Sequence, residues 1–316
     1  MGLFDKIKGP VFYKDDSEAV HQLEVLKELQ QRASGETATS IENEIRFVEA
    51  GIYGEKQVRF ELENSHIPMF VLHDLYFEHE GLTSQVDYLI ITRKHQFVIE
   101  CKNLYGDIEI NSNGDFIRKF SYGRNTKKEG IYSPITQNRR HLELVKQIRG
   151  AQMNPLLRIA FDKYFYDNYR SVVVLANPKT VLNARYAKKE VRNQVIRADQ
   201  LAEYIRKIDA EPNSVSTSEK GIESLANFFL SIHKENKVDY TEKFRNMIDE
   251  TKSDVFEENL SNEVQIEPKN EDNTDEVLCP KCGALMVRRK AGKGRNAGNE
   301  FFGCSNFPKC RGILSV

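Results

Sequence analysis

Four of the five cysteines, Cys279, Cys282, Cys304 and Cys310, fall within the last 38 residues of a 316-residue chain. A disulfide framework would spread its cysteines along the chain, whereas two close pairs are the spacing of a metal site. Cys279-Pro-Lys-Cys282-Gly and, with 21 residues between Cys282 and Cys304, Cys304-Ser-Asn-Phe-Pro-Lys-Cys310 place two thiolate pairs on either side of a β-rich loop. Four thiolates satisfy tetrahedral Zn²⁺ at about 2.3 Å, and a segment so poor in apolar residues needs such a staple to fold. With every ligand position closed by Cys, the zinc is expected to be structural.

The formal net charge of -1 hides a strong segregation. Residues 239–276 carry 13 Asp or Glu against 4 Lys or Arg, few large apolar side chains and no period, which reads as a flexible linker. Beyond it, residues 279–316 hold 8 Lys or Arg against Glu300 alone. The layout expected is a helical arm over 1–40, an α/β domain over 41–235, an acidic linker over 236–276 and a zinc ribbon over 277–316. The strongest apolar runs, such as Val172-Val-Val-Leu175, fall far short of the ~20 residues a membrane span needs. The start lacks an apolar signal core, and Lys6 stands where myristoylation wants Ser or Thr, so a cytoplasmic location is expected.

In the arm, Val20, Leu23, Leu26 and Leu29 recur at near-helical spacing before Ala33-Ser-Gly35. Ile41, Ile45, Val48, Ile52, Val58 and Leu62 mark a second helical stripe, which is expected to begin or kink near Gly51. Short β-rich runs follow at 70–77, 85–92, 96–102, 107–110 and 116–120, a meander of strands. Ser133-Pro134 is an N-cap with proline at the first helical position. Strands at 171–176 and 194–197 and helices after Asp199 and over 221–233 complete the domain.

Within the meander, Phe97-Val-Ile99 runs straight into Glu100-Cys-Lys102, so charge sits at the end of an apolar strand. Burying it there is costly without partners. If Arg93-Lys94 forms a two-residue turn, Thr92 opposes His95 and the register sets Asp87 opposite Glu100. Asp87, Glu100 and Lys102 then share one face, with Val86, Tyr88, Ile99 and Cys101 on the other. Two carboxylates about 5 Å apart at Cβ suit a divalent cation, which also answers their mutual repulsion. Residues 116–150 add 9 Lys or Arg against Glu129 and Glu143, and Arg118, Lys119, Arg124, Lys127, Lys128, Arg139 and Arg140 are candidates for a phosphate track. His73, His79 and His95 read as structural or surface residues, while His141 shares a helical face with Gln137, four residues earlier.

Two resemblances sit on these residues. Cys279-Pro280, Cys282-Gly283, Leu285, Arg288, Phe302-Gly303-Cys304-Ser305, Pro308 and Cys310 resemble the C-terminal zinc ribbon of type IA DNA topoisomerases. That resemblance implies binding of single-stranded DNA. The composition agrees: Arg288 and Arg311 are among the basic residues that can track phosphates, and Phe302 and Phe307 either offer stacking faces or pack the ribbon's small core. An acidic residue followed by Glu-x-Lys on adjoining strands looks like the PD-(D/E)xK nuclease core. The ordered series Gly51-x-x-Gly54-Glu55, Asp74-Leu75, Gln85-Val-Asp87, Val98-Ile-Glu-Cys-Lys-Asn103 with Gly106, and Pro134-x-x-Gln137 resembles the nuclease-related domain, or NERD, family.

The second resemblance implies an α/β, restriction-endonuclease-like mixed sheet flanked by helices, joined here to the small β-rich ribbon. It also implies metal-dependent hydrolysis of phosphodiester bonds. Asp87, Glu100 and the backbone carbonyl of Cys101 would hold Mg²⁺ or Mn²⁺, and Lys102 would orient the attacking water. Glu55 would stand behind or beside the metal, and Gln137 would touch its water or the phosphate. Tyr88 stands where many members carry His, and Cys101 where Val is common. The function expected is a DNA nuclease whose ribbon holds single-stranded or distorted DNA; the alternatives are a non-catalytic DNA-binding protein with the same fold, or a nuclease acting on RNA.

Overall fold

The computed structural model describes residues 7–122, 125–212, 215–250, 277–290 and 300–315. It divides into two compact units, one up to Asp254 and one from Val255 onward.

The first unit opens with strand β1 (Pro10–Lys14) and helices α1 (Glu18–Arg32) and α2 (Gly35–Glu63). Strands β2 (Met69–His79), β3 (Leu82–Ile91), β4 (Gln96–Lys102), β5 (Asp107–Ile110), β6 (Phe116–Tyr122) and β7 (Asn125–Ile131) follow. Then come helices α3 (Pro134–Ala151) and α4 (Pro155–Asn168), strands β8 (Tyr169–Leu175) and β9 (Leu182–Asn183), the short α5 (Lys189–Arg192), β10 (Val195–Arg197), α6 (Leu201–Asp209) and α7 (Glu219–Ile232).

A six-stranded sheet ordered β1-β2-β3-β4-β8-β10 forms the centre. Its β2, β3 and β4 are antiparallel neighbours, while β1 joins β2, and β8 joins β4 and β10, in parallel. The mixture follows from the connections: tight turns make the antiparallel pairs, and the return through α3 and α4 makes the parallel β4–β8 pair. One face packs Leu72, Leu89, Ile91 and Val98 against Leu142 and Val145 of α3, Phe165 of α4 and Phe229 of α7. The opposite face packs Val71, Tyr88, Ile90, Phe97, Ile99 and Val172 against Val58 and Leu62 of α2 and Leu201 and Ile205 of α6. A four-stranded sheet, β7-β6-β5-β9, adjoins through Ile108, Ile110 and Phe116, which meet Val173 and Leu175.

Several expectations need correction. The first 40 residues are not a separate helical arm, because β1 is an edge strand of the central sheet. The second helix neither starts nor breaks near Gly51; α2 runs unbroken for 29 residues, since tertiary packing of its apolar stripe outweighs the modest helix penalty of glycine. The stretch taken as a linker from 236 onward begins with order: residues 242–250 are helical, and Phe244 and Ile248 are buried with Leu26, Leu29, Ile41 and Ile45. Its remainder, 251–276, lies outside the described residues. Strand β7 and helix α4 have no counterpart among the expected elements. Among the described residues no helix is long and apolar enough to cross a membrane.

The second unit holds β11 (Met286–Lys290), β12 (Glu300–Cys304) and β13 (Ile313–Ser315) in one antiparallel sheet. Its small core is Cys279, Met286 and Cys304 with Phe302 and Cys310 packed against them.

Candidate active site and zinc centre

The β3–β4 hairpin turns at Arg93-Lys94, with the Thr92 N–H donating to the His95 carbonyl at 2.9 Å. Tyr88 pairs with Ile99, Leu89 with Val98 and Ile90 with Phe97, the register the turn requires. One step on, the Cys101 N–H donates to Asp87 Oδ2 at 2.7 Å, fixing Asp87 beside the end of β4. Glu100 is 1 % exposed, and its Oε1 receives Lys102 Nζ at 2.6 Å. Tyr88, Ile99 and Cys101 face away, as the hairpin geometry predicts. Val86 does not: it packs with Leu75, Leu89 and Val98 on the face where Glu100 meets α3. The alternation slips because β2 is distorted opposite Asp87, where Asp74 takes φ 50°.

Asp74 is consequently turned to structural work. Its two oxygens accept the Glu18 N–H, which opens α1, and the Gln85 side-chain amide, both at 2.7 Å.

Helix α3 supplies the other wall. Ser133 caps it, accepting the Thr136 N–H, and Pro134 opens it. The buried Asn138 amide donates to the Val98 carbonyl at 2.8 Å, the Ser171 hydroxyl at 3.0 Å and the Val172 carbonyl at 3.2 Å, which pins the helix over β4 and β8. Gln137, the neighbour of Asn138, is half-buried. One turn on, His141 brings Nε2 to 3.3 Å from Glu100 Oε2, and its Nδ1 lies 2.6 Å from Ser84 Oγ on β3. Ser84 carried no signal in the sequence; only the β2–β3 pairing brings it beneath α3.

Glu55 is bonded to a histidine, although its charge still reaches Asp87. From α2 it bonds His73 Nε2 at 3.0 Å, and its backbone carbonyl accepts the Tyr88 hydroxyl at 3.0 Å. His73 stacks on the Tyr88 ring at 4.5 Å, so this histidine, read as structural, is the partner of a candidate site residue. Gly54 lets α2 approach β4: a Cβ there would lie 2.7 Å from Asn103 Cβ and 3.4 Å from Cys101 Sγ.

Burial, then the charges of Glu100 and Glu55, push the Asp87 carboxyl well above its ordinary range, against the pull of the Cys101 N–H. Burial opposes charge on Lys102, but Glu100 outweighs it and holds the ammonium above the usual lysine value. Burial and the same carboxylates raise the Cys101 thiol, keeping it protonated and inert. Glu100 Oε2 is buried without a hydrogen bond. A carboxylate pair that resists shared ionisation, one oxygen of it unbonded, is what a divalent cation would complete, so the residues fit the group.

Of the basic residues proposed to follow DNA, Arg118 is paired with Glu129 and Lys119 with Glu109 across neighbouring strands. Arg139 and Arg140 are exposed on α3, as are Lys127 and Lys128 on β7. Arg124 lies outside the described residues.

In the ribbon the four Sγ atoms lie within 4.8 Å of one another, with Cys279 and Cys310 at 3.8 Å and Cys282 and Cys304 at 3.4 Å. Ligands of a tetrahedral ion at about 2.3 Å stand about 3.8 Å apart, so the sulfurs already have the spacing of a zinc centre. The Asn306 N–H points at Cys304 Sγ at 3.4 Å, and a Cβ on Gly312 would collide with Cys279 Sγ at 2.3 Å. Among the described residues this is the one group of three or more Cys, His, Asp or Glu with ligand atoms so close. Phe302 packs into the ribbon core, whereas Phe307 is 57 % exposed. Arg288 reaches Glu300 at 3.0 Å, and Arg311 is exposed.

Residues 50–176 match the family model of the nuclease-related domain, and residues 276–316 match that of the topoisomerase DNA binding C4 zinc finger. The chain joins a nuclease-related domain to a C4 zinc ribbon. The first match runs from within α2 to just past the end of β8, and so includes Glu55, Asp87, Glu100, Lys102 and Gln137. A DNA topoisomerase 1 of Methanocaldococcus jannaschii is 45% identical over 47 residues, 15% of this chain and 5% of that protein. The chain therefore spans only a small fraction of the curated relative it matches. No solved structure matches significantly. The two domains together support DNA as partner and a structural zinc.

Proposed function

We propose that the nuclease-related domain hydrolyses DNA phosphodiester bonds with Mg²⁺ or Mn²⁺, and that the ribbon holds single-stranded or distorted DNA for it. The observation that carries this reading is Glu100, buried, with Oε1 on Lys102, Oε2 without a hydrogen bond, and a charge that raises Asp87. Asp87, Glu100 and the Cys101 carbonyl would hold the cation. When bound, it would lower the pKa of a water and stabilise charge on the phosphate.

The chain's own residues would do the rest. Lys102, kept cationic by Glu100, would orient the attacking water and offset charge developing on the phosphate oxygens. Gln137, at the α3 wall, would position that water or a phosphate oxygen by hydrogen bonding. Glu55 would act through His73 and Tyr88, holding α2 and β3 together behind Asp87. Exposed Arg139 and Arg140 would take phosphates of the strand, a sequence-independent contact. In the ribbon, Phe307 would stack on a base while Arg288 and Arg311 follow the backbone. Tethering raises the local concentration of DNA at the site without any new contact there.

The test is incubation of the zinc-loaded protein with single-stranded DNA, duplex DNA and RNA, each with Mg²⁺, Mn²⁺ or EDTA. Metal-dependent loss of DNA supports the reading. Cutting of RNA alone would reassign the substrate, and binding of DNA without cutting in any condition would leave a DNA-binding protein on a nuclease fold.

A further inference from the structure

Tyr105, three residues beyond Lys102, is 66 % exposed, yet its backbone is held on both sides. Before it, the Leu104 carbonyl accepts the hydroxyl of the buried Thr180 at 2.7 Å. After it, Gly106 takes φ 92°, and a Cβ there would lie 2.5 Å from the Lys119 carbonyl oxygen, so glycine is what lets the chain run this close to β6. The Ile108 N–H then donates to the Val181 carbonyl at 2.9 Å. From this support the Tyr105 ring stacks on Phe120, with centroids 6.1 Å and planes 26° apart. The Arg118 guanidinium lies over the Phe120 ring, 4.7 Å from its centroid. A tyrosine backed by a second ring and still open to solvent presents a rigid stacking surface.

The stack lies on the same side as the candidate site. Alternation along β6 puts Phe116, Arg118 and Phe120 on one face, and Phe116 there joins the core against which Ile135 of α3 packs. The same helix carries Gln137. Three extended residues keep the Tyr105 Cα within about 11 Å of that of Lys102. Lys127 pairs directly opposite Phe120 on β7, shares its face and is exposed. An open ring with a cation beside it suits one nucleotide, a base to stack and a phosphate to neutralise. A base inside a duplex has both faces covered by its neighbours, so the base that reaches the ring must be unpaired or flipped out.

We infer that Tyr105 is a stacking platform for an unpaired base of the strand being cut, with Lys127 on the adjacent phosphate, so that the nuclease-related domain selects single-stranded or locally opened DNA without help from the ribbon. The inference rests on the reading of Glu100 and Lys102 as the cleavage site.

The chain contains no tryptophan, so Tyr105→Trp sets one indole at the platform. The full, zinc-loaded variant is titrated with single-stranded DNA, with duplex DNA and with an abasic strand of equal length, without added Mg²⁺ or Mn²⁺ so that nothing is cut. Anisotropy of a label on each DNA reports binding separately. Single-stranded DNA should quench the indole, and bound abasic or duplex DNA should leave its emission unchanged. Unchanged emission while single-stranded DNA is bound, or equal quenching by the abasic strand, overturns the inference. Tyr105→Ala should weaken binding of single-stranded DNA by about tenfold and Tyr105→Phe by less than about threefold. Wild-type affinity in Tyr105→Ala overturns the platform. Lys127→Ala should flatten the slope of log affinity against log salt by about 0.7, and an unchanged slope overturns the phosphate contact. Cleavage by wild type in Mn²⁺ separates the two levels. A silent indole with cleavage intact overturns the platform and leaves the nuclease standing, whereas a quenched indole without cleavage in any metal supports the platform and removes the nuclease.

Discussion

Lys102 Nζ stands 2.6 Å from Glu100 Oε1, so the lysine of the Glu-x-Lys pair is held by the glutamate two residues before it on the same strand. Each needs the other in the absence of ligand. Glu100, nearly inaccessible, would otherwise be an uncompensated buried charge, and Lys102 would lose the partner that keeps it protonated. Removing Lys102 while keeping Glu100 is therefore expected to harm both chemistry and folding. Glu100→Gln/Lys102→Met should melt at a higher temperature than Lys102→Met alone, because the double change leaves no charge behind. Equal melting temperatures would show that the pair is not coupled.

Asp87 contributes a pH dependence to the stability of the metal-free domain. Its carboxyl is raised in the fold, so the native state keeps a proton that the unfolded chain releases from about pH 4 upward. Stability then falls as pH rises from that point to the folded pKa, and the deficit is complete above it. Asp87→Asn should consequently melt higher than wild type near neutral pH without added Mg²⁺ or Mn²⁺, with the gap closing below about pH 4. Added Mn²⁺ should raise the melting temperature of wild type and leave the variant behind. Thermal melts across a pH series, with and without Mn²⁺, check both signs.

Gly54 is a packing requirement. Ala there gains helix propensity but sets Cβ 2.7 Å from Asn103 Cβ, on the residue whose amide donates to the Ala50 carbonyl at 2.7 Å. Overpacking of this kind costs about 1–3 kcal/mol, more than the ~1 kcal/mol that Ala offers a helix. Gly54→Ala should lower the denaturant midpoint. Gly51→Ala, where the added atom meets nothing within 4 Å, should raise it or leave it unchanged.

The hairpin register was legible because it follows from a two-residue turn and the period of a strand, and that register carries Asp87, Glu100 and Lys102 together. The same arithmetic placed Val86 on the wrong face, since it could not see Asp74 at φ 50° and the slip in β2. Glu55 was found through its family resemblance, but its partner His73 lies 18 residues away on another element, with no local pattern to announce it. The cysteine spacing foretold the zinc centre because few arrangements of four thiolates fold so short a segment. Helix α4 has a start signal, Asn154 capping it ahead of Pro155, but Leu156, Leu157 and Ile159 are exposed, so the stripe that marks a packed helix is blurred. The acidic stretch from 239 hid a helix because its average charge outweighed the two side chains, Phe244 and Ile248, that anchor it.

The ribbon should carry one zinc. Cys282→Ser should lose it, because a tetrahedral site with three thiolates is left open to water. Retention of single-stranded DNA by the full chain should then fall by about tenfold or more. Metal analysis and a filter-binding titration at fixed salt measure the two effects. Full zinc occupancy in Cys282→Ser would refute the ligand assignment.

Cleavage of labelled DNA by wild type, Asp87→Asn and Lys102→Met, each folded and zinc-loaded, in Mn²⁺ and in Mg²⁺, tests the central claim most directly. Wild type is predicted to cut in the presence of metal and to stop in EDTA, with both variants slower by about 100-fold or more. A folded wild type that leaves every DNA substrate intact, or variants that cut at its rate, would contradict the assignment of Asp87, Glu100 and Lys102 to catalysis.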